Sequence, residues 1–244
     1  MIQMNRTAEL QAIYVMWLRQ IKRFLRSKSR LITSVVQPLF FLFILGSGFR
    51  VATFEGVQGD YIFYLAPGII AMSIMFSSMF AGISVLWDKQ FGFLQEVLVA
   101  PVSRFSIIIG RTLGGATTAL FQGSIILIIV LVMRIPISSI TGFLLTIIFM
   151  LLIAFSAVGF GLILASKMQD FQGFPLIMNL VLMPLLFLSS AFFPVSSHKI
   201  LETVAYVNPM FYMVDGLRGS LTGTNNLLPT YIDLGVVFLF CIVM

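Results

Sequence analysis

The chain has 244 residues, of which 59% are hydrophobic and 10% charged, with a mean hydropathy of +1.05. A water-soluble domain carries about 25% charged residues, and the long charge-free windows below lack the polar faces that soluble helices need, so one large soluble core is excluded. The net charge of +6 follows from an uneven membrane topology and requires no nucleic-acid partner.

Residues 1–30 hold seven of the fifteen basic side chains: Arg6, Arg19, Lys22, Arg23, Arg26, Lys28 and Arg30. Leu10, Ile13, Tyr14, Trp17, Leu18, Ile21 and Leu25 recur at spacings of three and four, which makes one helical face. Such a basic amphipathic helix is expected to lie flat in the headgroup layer, facing anionic lipid. It is a cytoplasmic segment, 1–30, ahead of a membrane domain, 31–244. Its charged region is too long for a secretory signal, and no small-residue cleavage site follows.

Charge-free windows then run over 31–49, 61–87, 112–133, 135–166 and 171–197. Each is long enough for one crossing. The run IILIIVLVM (125–133) is apolar on every side, which fits a helix and not the alternating strand of a barrel. A sixth run, Leu234–Met244, falls short of the roughly 17 residues a span needs unless 227–232 join it. The expected fold is an all-α integral membrane protein with six transmembrane helices. Lys89, Arg104, Arg111 and Lys167 share the side of the N-terminal cluster, whereas only Arg50, Arg134, Lys199 and Arg218 lie opposite. The positive-inside rule therefore puts both termini in the cytoplasm of a cell-membrane protein.

Between the second and third windows, Trp87 marks the interface. Beyond it Phe91, Leu94 and Leu98 make one stripe, with Asp88, Lys89, Gln95 and Glu96 as polar neighbours. Pro101 closes the helix because it lacks an amide hydrogen and disfavours helical geometry before it. The spacing predicts a short amphipathic cytoplasmic helix held between two spans; a loop stabilised by the membrane surface is the plainer alternative. Gly110 and Gly114 have the small-xxx-small spacing at which another helix packs closely.

Between the fifth and sixth spans lies VAYVNPMFYMV (204–214), too short to cross. Its Asn208–Pro209 break predicts short re-entrant helices in the outer leaflet. Asp215 and Arg218, three apart, are spaced to pair on one helical face and stabilise it. His198, the single histidine, reads as a loop residue. Gln122, Asn179, Ser189 and Ser190 are polar groups deep in predicted spans, suited either to joining helices or to lining a path. Cys241 is alone, so no intrachain disulfide forms.

The run DKQFGFLQEVLVAPV, marked by Asp88, Lys89, Gly92, Phe93, Leu94, Glu96, Leu98 and Pro101 and closed by Gly110–Arg111, resembles the signature of type-2 ABC exporter permeases. That class includes polysaccharide, nodulation-factor and antibiotic-resistance export subunits. NPMFYMVDGLR, through Asn208, Pro209, Tyr212, Asp215 and Arg218, is a second match; Gln37–Pro38, LAPG (65–68) and FFP (192–194) are weaker ones. The likeness covers essentially the whole chain in order. It implies that Asp88, Lys89, Phe91, Gly92, Leu94, Glu96, Leu98 and Pro101 belong to a coupling helix resting in a groove of a separate ATP-hydrolysing subunit. It further implies two such ATPase subunits, a second permease copy or paralogue, and re-entrant helices shaping an outer exit. The cargo would be an amphipathic drug, lipid or lipid-linked glycan. Gln90, Phe93 and Gln95 stand where the family commonly has an acid, a threonine and a glutamate, which makes this helix less acidic than the pattern.

No G-x-x-x-x-G-K-[ST] loop, metal-ligand spacing or nucleophile–base pair occurs. The chain is therefore expected to bind no cofactor or metal itself and to catalyse nothing, with ATP and Mg bound only by the partner. An ion-coupled secondary transporter is an alternative. It usually carries intramembrane charges, which the five windows lack, although Pro38, Pro67, Pro175 and Pro184 would permit broken-helix ion sites. A structural membrane subunit that moves nothing is another.

Overall fold

The structure is a computed structural model that describes residues 6–49, 60–135, 137–195 and 199–244, apart from the side chains of Arg30, Leu94 and Leu98. Arg50 and His198 lie outside the described residues. The helices are α1 (Arg6–Arg26), α2 (Lys28–Gly48), α3 (Tyr61–Gln90), α4 (Phe93–Val99), α5 (Arg104–Val132), α6 (Ile140–Lys167), α7 (Gly173–Phe187), α8 (Lys199–Val207), α9 (Pro209–Leu221) and α10 (Thr230–Val243). No strand occurs among the described residues. Several starts are set by side chains that satisfy otherwise orphaned amides. Asp60 accepts from the Ile62 amide, Ser139 from Gly142 and Asn208 from Met210.

Among the described residues four helices are long and apolar enough to cross a membrane: α2 from Leu31, α3, α5 and α6. The fifth and sixth hydrophobic runs form the shorter α7 and α10, of 15 and 14 residues. At 1.5 Å per residue each extends only about 22 Å, less than a hydrocarbon core of about 30 Å.

Helix α3 is the centre of the bundle, buried along most of its length and packed against α2, α5, α6 and α9. In lipid, such helices associate through close packing rather than exclusion of water, so small residues set the contacts. A Cβ on Gly82 would come within 2.5 Å of the Gly161 carbonyl on α6. One on Gly115 would lie 2.8 Å from Ala81 Cβ.

Four findings sharpen or correct the sequence expectations. First, α1 packs on α5. A Cβ on Gly110 would lie 2.7 Å from the Ile13 carbonyl, and one on Gly114 would lie 2.6 Å from Gln20 Cβ. Met16 and Phe24 are the buried residues of α1, while Leu10, Tyr14 and Leu25 of the expected face are exposed. Second, α3 continues through Gln90, past Trp87. Third, Phe91 caps α3 and stacks on Trp87, 5.1 Å between ring centroids, rather than joining α4. Fourth, α7 stops at Phe187, because the following chain is claimed by other partners. Ser190 adopts φ +62, and the Ser190 and Phe192 carbonyls accept from the Tyr64 and Tyr61 hydroxyls at 2.8 and 2.5 Å. Ser189 and Ser190 thus lie in a buried irregular segment, and Asn179 is exposed on α7.

Candidate functional site

The corner where α3 turns through α4 into α5 is built around one carboxylate. Asp88, on the last turn of α3, is 3% exposed. Arg19 of α1 grips it with two hydrogen bonds, Nη1 to Oδ2 at 2.9 Å and Nη2 to Oδ1 at 2.6 Å. This is the bidentate geometry that a guanidinium fork favours. Arg23 Nη2 adds a contact of 3.3 Å to Oδ1. From α5, Arg111 Nη2 lies 2.9 Å from Oδ2, an ion pair not aligned as a hydrogen bond. Arg111 is 7% exposed, and its N–H groups find no aligned acceptor among the described residues. Asp88 is therefore the counter-charge that makes a buried arginine tolerable.

The same arginine reaches α4: Arg19 Cζ sits 3.8 Å above the centroid of the Phe93 ring, a cation–π contact. Helix α4 leaves α3 at Gly92, whose φ of +76 is the left-handed conformation that glycine adopts without steric cost. At the far end, Ser103 caps α5 by accepting from the Ser106 amide at 3.1 Å. Glu9 of α1 accepts from the Ser103 amide at 2.9 Å and from its hydroxyl at 2.8 Å. A carboxylate at a helix N-terminus also meets the favourable end of the helix dipole. The Ser106 and Ser103 hydroxyls, with the Ser103 amide, hold the Glu9 carboxyl below its ordinary value.

Of the residues singled out by sequence, Lys89, Phe91, Glu96 and Pro101 are exposed around α4, with Gln95 and Val99 beside them. Lys89 Nζ donates to the Met168 carbonyl at 3.3 Å. Asp88 faces inward, and the side chains of Leu94 and Leu98 lie outside those described. A cavity of about 580 Å³ opens beside the corner, lined in part by Arg104, Ile107, Arg111 and Phe155.

The second group, Asn208, Pro209, Tyr212, Asp215 and Arg218, lies around the break between α8 and α9. Pro209 occupies the first turn of α9, where its missing amide hydrogen costs nothing. Asn208 Nδ2 donates to the Leu185 carbonyl at 2.7 Å, and the Tyr212 hydroxyl to the Tyr206 carbonyl at 2.8 Å. Asp215 and Arg218 do pair, at 3.7 Å, but this is their weakest contact. Asp215 accepts from the Leu227 and Leu228 amides at 2.9 Å, fixing the turn into α10. Arg218 donates to the Ser190 carbonyl at 2.6 Å and stacks 3.8 Å over the Tyr64 ring. The pair thus joins α3, the chain after α7, α9 and the α9–α10 turn, rather than stabilising one helix.

Sequence reasoning missed Glu9, Tyr64 and Asp233. Asp233, on α10, is fully buried, and its carboxylate has no hydrogen-bond partner among the described residues. An acid heading an apolar run was the available signal. Glu9 and Tyr64 carried no local one.

Four long apolar helices and two shorter ones, tied at one corner by a buried charge cluster, define a multi-pass α-helical membrane protein. Residues 11–222 match the family model described as ABC-2 type transporter, and the chain belongs to that family. It is 27% identical over 237 residues to the inner membrane transport permease YadH of Escherichia coli, covering 95% of this chain and 90% of that one. It is 25% identical over 213 residues to the transport permease ycf38 of Cyanophora paradoxa, covering 86% and 73%. The ycf38 protein of Porphyra purpurea is 29% identical over 208 residues, covering 82% and 70%.

Proposed function

We propose that this chain is the membrane-spanning subunit of an ATP-driven exporter, moving an amphipathic drug, lipid or lipid-linked glycan outward across a cell membrane. ATP with Mg is hydrolysed by a separate ATPase subunit, present in two copies beside a second permease. Both termini face the cytoplasm, and α4 rests in the groove of the ATPase. The observation that carries this is the seven-residue α4, which exposes Gln95, Glu96 and Val99 between two long helices that α1 ties together. A stiff corner of this kind moves its helices when a partner binds two states unequally, whereas a flexible loop absorbs the push.

The test is purification from native membrane in mild detergent. A P-loop ATPase should co-purify, and Glu96→Lys should leave hydrolysis running while transport falls. Recovery without any ATPase overturns the reading. Asp233 favours a second reading, ion-coupled transport, because an unpaired intramembrane acid commonly marks an ion path. Uptake in proteoliposomes driven by an ion gradient, abolished in Asp233→Asn, would establish that alternative.

A further inference from the structure

A separate cleft of about 330 Å³ opens between α2, α3 and α5, and among the described side chains none of those lining it is charged. Ser29, Thr33 and Gln37 lie four apart along its α2 wall, so they share one face. Ser73 and Ser77 lie four apart on α3, and Gln122 reaches in from α5. Gly123 makes that possible: a Cβ there would lie 2.5 Å from Ile74 Cγ1, so only glycine lets α5 close onto α3 at this level.

The deep end of the cleft holds two unsatisfied groups. Ser77 Oγ and Gln122 Nε2 have no hydrogen-bond partner among the described residues, although both residues are only 2% exposed. Their neighbours behave differently. Thr33 and Ser73 donate to their own helices, to the Ser29 and Ile70 carbonyls at 2.9 and 2.8 Å. Pro38, also in the lining, has no amide hydrogen, so the Ser34 carbonyl receives no helical bond from it. A bundle that needed only to pack would fill such positions with apolar side chains, because buried polar groups without partners are costly. The volume lies at the lower end of small-molecule sites, about 300–1,000 Å³, which suits one headgroup and not a whole lipid.

We propose that this cleft binds the uncharged, hydroxyl-bearing headgroup of an amphipath, whose alkyl part follows the exposed apolar surface of α2. A hydroxylated group supplies both the acceptor that Gln122 lacks and the partner that Ser77 lacks. A charged headgroup would be desolvated against a lining whose described side chains offer no counter-charge. A wholly apolar ligand would leave both groups unpaired. The site deepens the transport reading by naming its cargo class, and it is tested without the ATPase.

The experiment places the permease in phosphatidylcholine nanodiscs with diazirine-bearing dodecyl glucoside, dodecyl sulfate or dodecyltrimethylammonium. Labelled peptides are then located by mass spectrometry. The glucoside should label the segments around Ser77 and Gln122, and unlabelled octyl glucoside should displace it. Ser77→Ala and Gln122→Leu should each lower labelling by about three- to tenfold, the effect of losing one neutral hydrogen bond. Thr33→Val, on the exposed lip where folding is not at stake, should lower it in the same direction. Equal or stronger labelling by either charged probe, or labelling that survives all three substitutions, overturns the proposal. A co-purifying ATPase with no glucoside selectivity would sink the cleft and spare the transport reading. Selective labelling without any ATPase would do the reverse.

Discussion

Asp88 carries one negative charge among three guanidinium groups, and Arg111 is the one with least access to water. Asp88→Asn keeps the shape and removes the charge, leaving Arg111 buried without compensation. The expected cost is about 3–5 kcal/mol, as for other broken buried pairs. It should be read as a lower melting temperature and faster hydrogen exchange throughout α1. Glu9 makes a different, pH-dependent prediction. Its folded-state pKa lies below the ordinary value of 4.5 because the Ser106 and Ser103 hydroxyls and the Ser103 amide favour the carboxylate. Its contribution to docking is therefore complete above the unfolded value and lost as pH falls through the folded one. Exchange protection at the start of α1 should be constant from neutral to about pH 5 and decline below it. Glu9→Gln should abolish that step.

At the scale of helices, Gly110 and Gly92 separate two kinds of glycine. Gly110→Val drives a side chain into the α1 backbone at Ile13. It should displace α1 at about 1–3 kcal/mol, the range for overpacking, while α3 and α6 keep their exchange protection. Gly92→Ala meets nothing within 4 Å, so only the left-handed backbone penalty applies, about 1–2 kcal/mol. The spacing of Gly110 and Gly114 announced a helix contact correctly but could not name α1 as the partner. Periodicity in α1 likewise showed that an apolar face exists. Leu10, Tyr14 and Leu25 nevertheless point away from the bundle, because the pull of Asp88 on Arg19 and the glycine contacts at Ile13 and Gln20 set the rotation of the helix.

Across the molecule, Arg218 does for the opposite end what Asp88 does for the corner. Its contacts lie 28 and 154 residues away, at Ser190 and Tyr64, so the three-residue spacing to Asp215 revealed the least of them. Arg218→Leu removes the only cation described beside the buried Asp215 carboxylate, which keeps its two backbone amides, and leaves the Ser190 carbonyl with the Tyr64 hydroxyl alone. It should destabilise the whole bundle by about 3–5 kcal/mol, measured by thermal unfolding in detergent. The six hydrophobic runs were plain in the sequence because lipid permits little else. The early end of α7 was not, since it depends on tyrosines from α3. Asp233 stood just ahead of the last run, where a search for uninterrupted apolar stretches passes over it. The clamp on α1 also has a consequence for biosynthesis. Its anchors lie 69 residues after Arg19 and 94 after Glu9. At a synthesis rate of about 5–20 residues per second, the N-terminal helix waits roughly 5–20 s for its anchors to be made. During that interval Met16, Phe24 and their apolar neighbours lack the α5 contact, and a membrane surface is the kind of shelter that suits a basic amphipathic helix. The pattern of residues 10–25 therefore fits the needs of the nascent chain as well as those of the finished bundle.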